Sequence, residues 1–108
     1  MWNEPSETEL GKIPKLYSTE ELEQNEIQIV MHFFLAGSDW FIAEWDPLDR
    51  IFYGFVVLNN DLTMAEWGYI SFDELKSISF KGLEIGRDSH WIPKKFKEVY
   101  AELEKKFR

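Results

Sequence analysis

Between Ile27 and Ser71 the chain repeats one pattern four times: a short run rich in aromatic and branched residues, then a short polar break. The runs are IQIVMHFFL (27–35), WFIAEWD (40–46), IFYGFVVLN (51–59) and MAEWGYIS (64–71). The breaks between them are AGSD, PLDR and NDLT, which carry the Gly, Pro, Asn and Asp of tight turns. Parallel strands need a crossover of a dozen residues or more, so breaks this short permit only antiparallel neighbours. Residues 27–71 therefore predict a meander of four strands. The third run is apolar on both parities, which suits a central strand, and Gly54 within it suggests a bulge or the close approach of another backbone.

The flanking sequence adds helices. In SFDELKSI, Ser71 is placed to cap a short helix, with Glu74 three residues on. LEIGRD (83–88) reads as a fifth extended piece at a sheet edge. In PKKFKEVYAELEKKF, Phe96, Val99, Tyr100, Leu103 and Phe107 fall on one helical face, and Pro93 suits the first turn. Ser6 with Glu9 and Ser18 with Glu21 have capping-box spacing, so short helical turns are expected at both places. The expected fold class is α+β: a single domain, an antiparallel sheet of four to five strands, and a C-terminal amphipathic helix packed on one face. Residues 1–15 read as an acidic, mobile N-terminal segment, and 16–108 as the single domain.

Charge narrows the partners. The chain has a net charge of −8. Residues 1–26 carry seven acids and two bases, residues 27–92 ten acids and four bases, and residues 93–108 three acids and six bases. Only the last segment is basic, and a solvated lysine-rich helix face accounts for it. Such a body repels phosphates, so direct nucleic-acid binding is disfavoured. No run is long and apolar enough to cross a bilayer, and the start lacks the pattern of a secretory signal. The chain has no cysteine, which removes disulfides and thiolate sites and fits a reducing, cytoplasmic setting. Two histidines without metal-ligand spacing, six glycines without a phosphate loop, and serines outside G-x-S-x-G predict neither a metal site nor a cofactor.

With those elements placed, the pieces LYSTE (16–20), WFIAEWD (40–46), FYGFV (52–56), EWGYISFDEL (66–75) and GLEIGRD (82–88) carry a resemblance. The chain resembles a bacterial family known as domain of unknown function 2958, over most of the stretch from Leu16 to Asp88. The resemblance implies a small cytoplasmic protein of a kind often carried on plasmids, phages and integrative elements. It brings no activity and no catalytic role to any residue.

The candidate site residues are Trp40, Glu44, Asp46, Glu66, Arg87, Asp88 and His90. Strict alternation puts Glu44 and Asp46 on one face with Trp40 and Ile42. Such acids could bind a cation or act as acid and base with help from Glu66, or they could line a solvated face. Arg87 could clamp an anion and His90 carry a proton. The plainer expectation pairs Arg87 with Glu44 or Glu66, since a partly buried acid wants a basic partner. His32 reads as a packing residue. Trp40 and Trp45 have opposite parity, so one of them is expected off the main core, either as an interface anchor or under the N-terminal segment.

Three functional readings follow. The first is a binding protein that engages a protein partner through an aromatic and carboxylate face, with nucleic-acid mimicry as a variant. The second is a small hydrolase-like or metal-dependent enzyme in which Glu44, Asp46, Glu66, Arg87, Asp88 and His90 converge in one cleft. The third is a homo-oligomer joined through a sheet edge.

Overall fold

The computed structural model describes residues 3–107. Four strands run consecutively as a meander: β2 (Met31–Leu35), β3 (Ser38–Asp46), β4 (Ile51–Val57) and β5 (Glu66–Ser71), after a two-residue β1 (Gln28–Ile29). The remaining elements are α1 (Glu7–Leu10), α2 (Phe72–Ser77), β6 (Ser79–Phe80), β7 (Leu83–Glu84), β8 (Gly86–Arg87), β9 (Lys94–Lys95) and α3 (Phe96–Lys106). The main sheet has five antiparallel strands in the order β5-β4-β3-β2-β8. The α+β architecture expected from the sequence is thus observed, with the fifth piece at the free edge of β2.

The sheet is covered on both sides. One face carries Met31, Phe33, Trp40, Ile42, Trp45, Phe52 and Ile70 beneath Leu10, Ile13, Phe72, Leu75 and Ile85. This is the α2 face. The other carries Ile29, Phe41, Ala43, Phe55 and Val57 beneath Phe96, Val99 and Leu103. This is the α3 face, and the helix meets it with the residues its periodicity selected.

Caps explain the helix starts. The Ser6 hydroxyl accepts from Glu9 N while Glu9 accepts from Ser6 N, and the Ser71 hydroxyl accepts from Glu74 N. Helix α3 begins at Phe96 rather than at Pro93, because Lys94 and Lys95 pair as a strand with Ile29 and Gln28. Ser18–Glu21 forms turns instead of a helix, because Thr19 spends its amide and hydroxyl on Glu44. The expected single strand 27–35 breaks at Val30, where β1 leaves the sheet to meet β9. A 3₁₀ turn, Leu62–Met64, delays the fourth strand to Glu66, and residues 83–88 divide between a small hairpin and β8.

The main departure from strict alternation lies in β3. Ile42 pairs with Gly54, yet Glu44 pairs with the next residue, Tyr53, leaving Ala43 as an extra residue. This β-bulge re-phases the strand. Trp40 and Ile42 face α2 before it; Trp45 faces α2 after it. Glu44 therefore points away from Trp40, onto the α3 side with Tyr53, and does not share the tryptophan face. Trp40 and Trp45, 7% and 4% exposed, lie in one core, and neither is set aside from it. Gly54 is required at the bulge: a Cβ there would collide with the Phe41 carbonyl oxygen.

Candidate functional site: an aromatic groove over a buried carboxylate

Once β2 turns away, the flank of β3 beyond Ile42 needs a new partner. Residues 14–22 supply it as a strap. Trp45 N donates to Pro14 O at 2.9 Å, and Lys15 bridges Trp45 in parallel. The strap then crosses Glu44. One carboxylate oxygen accepts from Tyr17 N at 2.8 Å, and the other accepts from Thr19 N at 3.0 Å and from the Thr19 hydroxyl. Glu44 is only 3% exposed, and among the described residues no lysine or arginine pairs with it. Its negative charge is held by dipoles alone. Tyr17 sits at φ 71°, a left-handed conformation unusual for a tyrosine, and its bond to Glu44 holds it there.

Between strap and sheet lies a groove of about 320 Å³, with Tyr17, Glu44, Tyr53, Trp67 and Tyr69 among its walls. Tyr53 stacks on Trp67 at 5.5 Å and 18°, and Tyr53 and Tyr69 lie 5.4 Å apart. Tyr69 is 60% exposed and lines the groove together with Tyr17. Burial, and then the charge of Glu44, push the Tyr53 phenol above its ordinary pKa. The hydrogen bond with Tyr17 and then burial raise that of Tyr69, with smaller contributions from the charges of Tyr17, Tyr53 and Glu44. The Glu44 carboxylate, a lesser cause at both phenols, makes the groove a site of negative potential. Such a site favours cations. The Trp67 indole N–H is buried without an acceptor among the described residues.

The seven residues singled out from sequence are dispersed. Trp40 is in the core. Asp46 accepts from Leu48 N at 3.0 Å, closing the turn after β3. Glu66 is exposed at the start of β5. Arg87 pairs with Glu9, Nη1 to Oε2 at 2.9 Å, and not with Glu44 or Glu66, because it stands opposite Phe33 on the α2 side, away from Glu44, while Glu66 is on β5 at the other edge of the sheet. The Ser6 amide, and after it Arg87, hold the Glu9 carboxyl below its usual range. Asp88 and His90 do stay together: Asp88 Oδ1 accepts from His90 N at 3.0 Å. Asp88 Oδ2 also lies 3.9 Å from Nδ1 of His32. His32 stacks on Phe41 at 4.6 Å and bonds Asp39 through Nε2 at 2.8 Å, as a packed residue should.

The six polar candidates line five separate hollows, so the single cleft required by the enzymatic reading does not form. Among the described residues no three His, Asp or Glu side chains are placed to hold a metal ion. No helix there is long and apolar enough to cross a membrane. Of the groove's residues, sequence reasoning selected Glu44 and missed Tyr17, Thr19, Tyr53, Trp67 and Tyr69. A signal existed for Tyr53: a tyrosine in an otherwise apolar central strand has a hydroxyl to place.

A family model described as "Protein of unknown function (DUF2958)" matches residues 13–107. No curated protein and no solved structure matches the chain.

Proposed function

The chain belongs to the family described as protein of unknown function (DUF2958), and we propose that it is a cytoplasmic binding module whose aromatic groove engages another protein. The observation that carries this reading is Glu44, a buried carboxylate without a cationic partner among the described residues, lining one groove with Tyr17, Tyr53, Trp67 and Tyr69. Aromatic side chains around a desolvated charge are the usual anchors of protein interfaces. The strongly acidic body supports a protein partner over a nucleic acid. If the chain travels on a mobile element, as the resemblance implies, the partner is a host protein or one encoded by the same element.

Photo-crosslinking in the native host tests this. A photoreactive phenylalanine replacing Tyr69 should capture one discrete protein, and Glu44→Gln in the same chain should reduce the yield. The same probe at Leu48, 91% exposed but outside the groove, is the control. Capture from Leu48 and none from Tyr69 would refute the groove as the binding surface.

A further inference from the structure

We infer that the groove's ligand is an extended basic segment of the partner, which adds to the open edge of β5 as a sixth strand and places a lysine or arginine among the tyrosines. The inference rests on the binding reading above and names its ligand. β5 ends the five-stranded order, and among the described residues no other element pairs with its outer side. Phe72 N donates to Arg50 O, which sets the phase of the β4–β5 ladder. Alternate pairs exchange both bonds in an antiparallel ladder, so Phe52/Ile70, Gly54/Gly68 and Val56/Glu66 bond inward. The main-chain N–H and C=O of Trp67 and Tyr69 consequently point outward, and these are the two residues of β5 whose side chains line the groove.

This edge carries one of the usual protections, the charge of Glu66, and lacks the rest: β5 contains no proline, no lysine and no bulge, and a Cβ built on Gly68 would meet nothing within 4 Å. A residue added opposite Tyr69 or Trp67 projects to the same side as they do. A lysine or arginine there passes over the tyrosine rings toward Glu44, where ring faces and a carboxylate both attract a cation. Charge decides between occupants. Glu20 and Glu44 line the groove and Glu66 opens the strand, with no basic residue in either. A second copy of a chain at net −8 would bring like charges together, whereas a basic strand neutralises them.

The test uses the full chain and an eight-residue peptide of alternating valine and threonine with one central lysine. Titration followed by amide exchange should show protection at Trp67 and Tyr69. Replacing the lysine with glutamate should weaken binding by about tenfold or more, the scale of one cation held by aromatic rings and a carboxylate. Tyr69→Lys, an exposed change that leaves the core alone, should weaken the lysine peptide similarly. N-methylation of alternate peptide amides should abolish protection, because it keeps the cation and removes the ladder. Equal binding by the methylated peptide, or by the glutamate peptide, would overturn the inference. So would protection of the same amides by raising protein concentration alone, which would put a second copy at the edge. Crosslinking at Tyr69 without peptide protection would defeat this inference and leave the binding reading standing; failure of both would defeat both.

Discussion

The two faces of the sheet are closed to different extents. The α2 face is sealed along its length by three separate segments: the N-terminal stretch, α2 and the chain near Ile85. The α3 face is covered chiefly by one helix of 11 residues, about 16 Å long, with Ile27, Ile29 and Trp91 beside it, laid on strands of which β3, at nine residues, spans about 30 Å. The helix closes the Phe41–Phe55–Val57 end and leaves the Glu44–Tyr53–Tyr69 end to a strap held by hydrogen bonds. One face is therefore a core throughout, and the other is a core at one end and a site at the other. The bulge at Ala43 divides them, because it lets a single strand serve both.

The strongest way to break this contrast is Gly54→Val: a Cβ there collides with the Phe41 carbonyl oxygen, so β3 and β4 cannot keep their ladder and cooperative unfolding should be lost, as judged by calorimetry. Next, Phe52→Ala on the sealed face should cost about 3–5 kcal/mol in denaturant unfolding, while Tyr69→Ala at the groove mouth should stay within about 0.5 kcal/mol. Equal losses would mean that the groove end is core as well. Glu44→Gln opposes an amide NH₂ to a backbone N–H of the strap and should cost about 1–3 kcal/mol. It should also return the Tyr53 phenol toward its ordinary pKa, read by ultraviolet difference titration.

The smallest effects are ionic and separate the faces by pH. Glu9 ties α1 to β8 on the α2 side, and Glu26 ties the chain before β1 to Lys95 on the α3 side. Its hydrogen bond to Lys95, foremost, holds the Glu26 carboxyl low. Both folded values are depressed, so both ties are intact above the ordinary 4.5 and are lost as pH falls through the lowered values. Acid should loosen both faces. Tyr53 and Tyr69 are raised above 10.0, so their contribution is whole below pH 10.0 and lost as pH climbs through the raised values. Alkali should therefore speed amide exchange at the groove before it does so around Phe33 and Phe52.

Much of the fold was legible because it follows from local rules. Short breaks force a meander, and the period of Phe96, Val99 and Leu103 selects a helix face. The site was hidden by one residue. Nothing in WFIAEWD marks Ala43 as unpaired; the clue stood across the ladder, in Gly54. Counting by twos through the bulge assigned Glu44 to the wrong face and split two tryptophans that share a core. The partners of Glu44 lie 25 and 27 positions away and, apart from the Thr19 hydroxyl, are backbone amides, to which side-chain chemistry gives no pointer. The same distance effect sent Arg87 to Glu9, 78 positions off, rather than to the strand acids.

The placement of Trp67 has a practical consequence. Its ring stacks on Tyr53 and packs at 4.8 Å against Phe96, while Trp40 and Trp45 are shut inside the opposite core. Of the five indoles that selective excitation would sample, Trp67 lines the cleft, and its emission should change when the cleft is occupied. The protein carries its own fluorescent gauge of occupancy, and no dye need be attached to follow a titration.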